Sequence, residues 1–350
     1  GLMVQVPYWR SDINLPADLV EEIARIIGYE RIPTRLRIGD LAPQSPEPML
    51  GFRERLRDIL AGCGLQEVVN YSLTSPERLQ SALIPLEPIP LELANPMTME
   101  HKCLRTSLRP GILGTVSQNR RHQEAVLVFE IGKLYLGRGE ELPREPEQLV
   151  VAISGQRGGS PRREKDGDLD FFDAKGFVES MFRRLELEAT FHHGQEPGLH
   201  PAMQAEMLID GNPVGAMGRV HPRVAEVFDV SENTYLIEID VERLLLLSQS
   251  LHEFHPLPRF PGIVRDMALV VDRDIPAQTL QQMIQGTPLV SEVSLFDVYT
   301  GPQVPSGKKS LAYRVVFQSQ ARTLTDDEVD RAQNKTLGRL RRDLGATMRN

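Results

Sequence analysis

The chain has 350 residues, 41% apolar and 25% charged, with a formal net charge of −8; this is folded globular composition for roughly two to three domains and excludes disorder as the main state. Its richest apolar runs, Leu244–Leu247 and Met267–Val271, fall far short of the roughly 18 residues a membrane span needs, and the first ten residues carry no secretory pattern, so a cytoplasmic protein with no membrane partner is expected. Cys63 and Cys103 are the only cysteines, too few for a disulfide framework or a thiolate zinc site.

In the first segment, Pro16 suits an initial helical turn, Leu19, Ile23, Ile26 and Ile27 recur with helical spacing, and Gly28 can end the helix. Asp18, Glu21 and Glu22 stand at i, i+3 and i+4 on this helix, with Asp12 six residues upstream. Oxygen ligands of this kind suit Mg²⁺; equally, acidic groups near a helix N-terminus favour the macrodipole. The run Leu41–Pro48 holds three prolines, which forbids helix and marks a connector. Domains are therefore expected over residues 1–40, 41–251 and 255–350, the last break falling in the proline-rich His252–Pro261.

The middle domain opens with an amphipathic helix carrying Phe52, Leu56, Ile59 and Leu60, closed by Gly62 or Gly64. Strands are predicted at Gln66–Leu73, Ala125–Leu136, Leu149–Ser154, Glu206–Ile209, Val214–Val220 and Thr234–Asp240, with a helix at Ala174–Arg184. Gly155–Asp170, rich in glycine, arginine and acids, reads as a surface loop. The pattern is α+β with a largely antiparallel sheet.

In the last domain the predicted order is strand Val264–Val271, helix Pro276–Ile284, strands Glu292–Tyr299 and Ser310–Gln318, helix Asp326–Arg342 and a short strand Ala346–Arg349, a ferredoxin-like arrangement. Thr325 and Glu328 make a capping box before the second helix, and Arg331, Lys335, Arg339 and Arg342 form a basic stripe along it. From His255 onward there are 13 basic and 10 acidic residues. The C-terminal domain is thus electropositive on an acidic body, compatible with a nucleic-acid-facing end and incompatible with a protein that coats nucleic acid everywhere.

Several signals are excluded. Gly301–Ser310 has the wrong glycine spacing for a phosphate loop and precedes a strand; Gly215–Arg219 is no dinucleotide fingerprint. The eight histidines show no metal spacing, and there is no nucleophile elbow, which argues against a self-contained hydrolase.

Three ordered motif sets carry a resemblance. Tyr8-Trp-Arg-Ser-Asp12 with Asp18-Leu-Val-Glu-Glu-Ile-Ala-Arg-Ile-Ile-Gly-Tyr-Glu30 is the first. Leu93-Ala-Asn-Pro-Met97, Leu104-Arg-Thr-Ser-Leu-Arg-Pro-Gly-Ile-Leu113, Phe129-Glu-Ile-Gly132 and Gly218-Arg-Val-His-Pro222 form the second, and Phe260-Pro-Gly-Ile-Val-Arg-Asp266, Phe296-Asp-Val-Tyr299 and Ser319-Gln-Ala-Arg-Thr-Leu-Thr325 the third. Together they resemble the C-terminal part of the β subunit of bacterial-type phenylalanyl-tRNA synthetase, a class II aminoacyl-tRNA synthetase.

The resemblance implies the end of a small helical module, a catalytically degenerate class II synthetase-like antiparallel core, and a ferredoxin-fold anticodon-binding domain. It implies Mg²⁺ shared with an α chain through Asp12, Asp18, Glu21 and Glu22, ATP as the substrate of that α chain, and a heterotetramer of two α and two β chains acting on tRNA(Phe), with no DNA. Arg105 and Arg219 are expected to be structural ion-pair partners, not ATP clamps. In the last domain Tyr299 offers a ring for base stacking, Asp297 and Ser310 can hydrogen-bond a base, and Lys308, Lys309, Arg314 and Arg322 can neutralise phosphates. The oligonucleotide-fold and editing domains of the family are not in this sequence, so no editing is expected of it. The competing expectation is a stand-alone RNA-binding or regulatory protein, which would lack the exposed apolar patch a subunit needs.

Overall fold

A computed structural model of the chain describes residues 1–35, 47–138, 141–157, 167–248 and 258–349. The expected connector at 41–48 and loop at 155–170 fall largely outside the described residues, as does most of the proline-rich break at 252–261. Two compact units divide the chain, residues 1–250 and 251–350. No helix among the described residues is long and apolar enough to cross a membrane.

The first unit begins with the helix Pro16–Ile27, whose start is fixed by the Asp18 carboxylate accepting from the Asn14 and Leu15 amides, both at 2.7 Å. Gly28, at φ +100°, ends it, a conformation that L side chains resist. None of this helix is buried, and Val20, Ile23 and Ile26 are exposed.

A seven-stranded sheet runs, edge to edge, through Gln66–Glu67, Ala125–Lys133, Glu147–Gly155, Thr234–Asp240, Asn212–Val220, Leu199–Ile209 and Ala189–His193. The first pair is parallel and the others antiparallel. Period-2 alternation sends successive residues of the central strands to opposite faces, and both faces are apolar there. One packs on the helices Pro48–Gly62, Phe171–Arg184 and Val241–Leu247 through Leu149, Val151, Tyr235 and Ile237. The other carries Val150, Ala152 and Leu236 against the helix Arg109–Asn119. This sheet is therefore a buried middle layer.

Four sequence expectations are revised. Gln66–Leu73 is not one strand: Gln66–Glu67 joins the large sheet, whereas Leu73–Thr74 pairs with Cys103–Leu104, because the residues between leave the ladder. Ala125–Leu136 ends at Lys133, and Leu136–Arg138 starts a separate hairpin. The helix expected from Ala174 begins at Phe171, since Asp170 accepts from the Phe172 and Asp173 amides at 2.8 and 3.1 Å. The helix Arg109–Asn119 was not expected from periodicity, because Gly111 and Gly114 dilute its helical signal; burial of Ile112, Leu113 and Val116 holds it.

In the second unit the strands Val290–Tyr299, Lys308–Phe317, Ile263–Asp272 and Thr347–Met348 form an antiparallel sheet in that order. The helices Ala277–Gln285 and Asp326–Leu344 pack on one face through Leu280, Ile284, Val329 and Leu340, against Met267, Leu269, Leu311, Tyr313 and Val315. The predicted order of elements is the observed one. Glu328 completes its half of the capping box, accepting from the Thr325 amide at 3.1 Å.

Candidate functional site

The N-terminal carboxylates do not converge. Arg10 lies between two of them, donating to Asp12 at 2.7 Å and to Glu22 at 2.8 Å, and Arg25 donates to the other Glu22 oxygen at 2.6 Å. These hydrogen bonds hold the Glu22 carboxyl down at about 2 and lower that of Asp12. Asp18 is lowered by the Asn14 and Leu15 amides it caps. Glu21 has no ion pair among the described residues. No group of three or more His, Cys, Asp or Glu is arranged to hold a metal among the described residues. As arranged, the four carboxylates do not fit a cation cage within this chain, because guanidinium groups and backbone amides already take the oxygens a cation would need.

In the middle of the core the arginines are locked in place. Arg105 is buried, pairing with Glu130 at 2.7 Å and donating to the Lys133 carbonyl at 3.0 Å. Arg109, which sequence reasoning did not single out, is also buried and forks onto Glu238, with a further bond to Glu196 at 2.7 Å. A Cβ at Gly198 would overlap the Arg109 guanidinium, and one at Gly132 that of Arg105, so both arginines need a glycine to reach their partners. The expectation for Arg105 as an ion-pair partner matches its geometry. Arg219 differs: it has no ion pair among the described residues, and its Nε is buried without a hydrogen-bond partner. Arg105 and Arg109 are thus committed to carboxylates, and neither is a free phosphate clamp.

On the same unit, Val69 is 88% and Tyr71 82% exposed. They line a cleft of about 630 Å³ with Asn70, Arg78, His101 and Arg105. Tyr71 lies with its ring 5.8 Å from that of His101, and the neighbouring Met97 and Met99 are exposed as well. Large apolar side chains concentrated in this way are costly to leave in water and mark a contact surface.

The second unit carries the expected base-reading residues on the face of its sheet that the helices leave open. A β-bulge between Leu295 and Asp297 brings them there: Leu295 pairs with the core residue Tyr313, whereas Asp297 pairs with Ala312 and Tyr299 with Ser310. Without the bulge, alternation would bury Asp297 and Tyr299 beside Leu295. The geometry differs from expectation at two positions. Ser310 is only 3% exposed, lying between Tyr299 and Val270 in the register, so its hydroxyl is covered by larger neighbours. Tyr299 is half-buried: the Arg349 guanidinium sits 4.6 Å from its ring centroid, and the ring packs against Gly301. Asp297 is exposed.

Of the expected phosphate contacts, three are already paired with carboxylates: Lys308 with Asp272 at 2.9 Å, Arg314 with Asp266 at 2.9 Å and Arg322 with Glu328 at 2.7 Å. Exposed pairs of this kind contribute roughly 0.2–1 kcal/mol, so a phosphate can displace the carboxylate at small cost. Lys309 has no ion pair among the described residues, and burial draws its pKa below the ordinary lysine value.

Comparison with known proteins gives three consecutive family matches. Residues 32–241 match the family model described as the phenylalanyl tRNA synthetase beta chain CLM domain. Residues 258–349 match a ferredoxin-fold anticodon binding domain, and residues 1–29 a tRNA synthetase B5 domain. The phenylalanine–tRNA ligase beta subunit of Dehalococcoides mccartyi strain CBDB1 is 40% identical over 98% of this chain and 42% of that protein. The corresponding subunit of Geobacillus kaustophilus is 39% identical over 99% of this chain and 44% of that protein. The chain thus spans about two fifths of the length of these curated relatives. Among solved structures, a pyrrolysyl tRNA synthetase of Desulfitobacterium hafniense is similar with a TM-score of 0.43, at 17% identity over 57% of this chain and 66% of that one.

Proposed function

Because the chain belongs to the phenylalanyl-tRNA synthetase beta-chain family, we propose that it acts as a non-catalytic part of phenylalanine–tRNA ligase, a cytoplasmic enzyme in which a separate α chain uses ATP to attach phenylalanine to tRNA(Phe). The observation that carries this reading is the pairing of a core whose Arg105 and Arg109 are committed to ion pairs with an exposed apolar surface beside it. Arg105 and Arg109 are buried in ion pairs, so the core holds itself together with the side chains that an ATP site would have to spare. Val69 and Tyr71 meanwhile stand in water, as a surface does that a partner covers. The C-terminal unit adds anticodon stem-loop binding through Asp297 and Tyr299, with Ser310 reached only once its cover moves, and with phosphate contacts from Lys308, Lys309, Arg314 and Arg322.

Residues 1–40, 41–251 and 255–350 form the three domains of this reading. Mg²⁺ belongs to it as a site shared with the α chain. Glu21 is the carboxylate left for a cation, while Asp12 must first release Arg10, Glu22 both Arg10 and Arg25, and Asp18 the amides it caps. The complete assembly is two α and two β chains.

Co-expression with the α chain, followed by light scattering of the purified product, tests the reading. A stable complex with the mass of two of each chain is expected, and substituting Val69 and Tyr71 together with Ser should weaken it. A chain that stays separate from α yet binds RNA would favour the stand-alone RNA-binding alternative.

A further inference from the structure

Phe296 is the bulged residue of its strand, and it is 53% exposed. The Arg314 guanidinium lies 5.3 Å from its ring centroid, and that guanidinium is itself held by Asp266 through two bonds of 2.9 Å. Asp266 and Arg314 pair across adjacent strands and alternate with the core residues Met267, Tyr313 and Val315, so they stand on the helix-free face. The result is a flat ring backed on one side by an oriented cation, with about half of the residue open to solvent.

From this geometry we infer that Phe296 and Arg314 form a second base-stacking platform, which takes an unpaired nucleobase of the same RNA loop that reaches Asp297 and Tyr299. The inference rests on the RNA-binding reading of this unit and adds a position to it. Three chemical features favour a nucleobase as the occupant. An aromatic face with an adjacent guanidinium is a surface on which any base can stack, through π overlap and cation–π attraction. Phe296 shares the bulge opposite Ala312 and Tyr299 stands opposite Ser310, two register positions on, roughly 7 Å along the sheet or about two stacked-base rises, so the two rings receive different bases. Finally, Lys308 stands on the same face of the neighbouring strand as Ser310 and Arg314, where its exposed pair with Asp272 can yield to the backbone of a bound loop. Tyr299, half-covered by Arg349, is the less open of the two rings.

The test uses the full chain and a stem-loop RNA with the tRNA(Phe) anticodon loop, carrying 2-aminopurine at successive loop positions. Phe296→Ala is expected to weaken binding about tenfold or more and to relieve 2-aminopurine quenching at one loop position only. Phe296→Trp is expected to keep both, and Phe296→Leu, which preserves apolar bulk without a flat face, to behave like Ala. Equal affinity in the Leu variant overturns stacking as the mechanism. If Tyr299→Ala weakens binding while every Phe296 variant binds like wild type, the second platform is wrong and the RNA-binding reading stands. If wild type itself does not bind the stem-loop, both fall. Unchanged RNA affinity with impaired recovery of the α chain makes the patch a protein contact and likewise overturns the proposal. Circular dichroism and Tm of each variant verify folding; should Ala fail to fold, the Trp and Leu pair decides.

Discussion

Arg109 and Glu238, 129 residues apart, meet fork to fork inside the core, Nε to Oε1 at 2.9 Å and Nη2 to Oε2 at 2.6 Å. The bond ties the first turn of the helix Arg109–Asn119 to the central strand Thr234–Asp240, and Coulomb attraction to Glu238 and Glu196 raises the guanidinium pKa against the desolvation that lowers it. Removing one partner leaves a buried charge unmatched. Arg109→Ala should therefore destabilise the first unit by about 3–5 kcal/mol, read as a lower denaturation midpoint. The double variant Arg109→Met, Glu238→Leu should recover most of that loss, since a packed apolar pair replaces the desolvated ions.

Calorimetric titration of the isolated chain with Mg²⁺ should give no heat of tight binding, because Arg10 and Arg25 occupy the Glu22 oxygens and Arg10 those of Asp12. Arg10→Met frees Asp12 and one oxygen of Glu22, the other staying with Arg25, and should raise Mg²⁺ affinity. Tight binding by wild type alone would show that the carboxylates rearrange without a partner.

Glu328 has its folded-state pKa pulled down to about 2 by Arg322, with the Thr325 amide adding to the effect. A depressed carboxylate stabilises the fold fully above its unfolded pKa of 4.5, and that contribution is lost as pH falls from there through the folded pKa. The second unit should lose stability across this window, and Glu328→Gln should flatten that part of the profile in pH-dependent urea melts.

Lys308→Ala should weaken stem-loop binding uniformly across loop sequences and lower the slope of log affinity against log salt by about 0.7–1, the value for one phosphate contact; Lys309, which pairs with the core residue Val271 and so starts from the helix-covered face, should matter less. An unchanged slope would remove Lys308 from the RNA path.

Tyr299→Ala should weaken tRNA(Phe) binding without unfolding the domain, because the ring lies on the open face and not in the core between the sheet and its helices. Arg349→Ala, which uncovers that ring, should leave binding intact or strengthen it. Affinity unchanged in Tyr299→Ala would remove that ring from anticodon recognition.

Local pattern alone determined much of this protein. The strand and helix order of the second unit follows from period-2 and period-3.6 apolar spacing and from the Thr325–Glu328 cap, all of which act within a few residues. Pro16 and Gly28 likewise bracket the first helix, and three ordered motif sets carried the family resemblance. What the tertiary structure decided lies where distant residues meet. The helix Arg109–Asn119 exists because its apolar side is buried against the sheet, against the preference of its glycines. The Arg10 bridges to Asp12 and Glu22 turn an apparent ligand set into ion pairs, since spacing along a helix does not say which cation arrives. On the open sheet face, the bulge after Leu295 resets the alternation; it carries Asp297 and Tyr299 out of the core and exposes Phe296, while lateral neighbours cover Ser310. Periodicity assigns faces only while its phase is unbroken, and the phase shift is set by pairing with another strand.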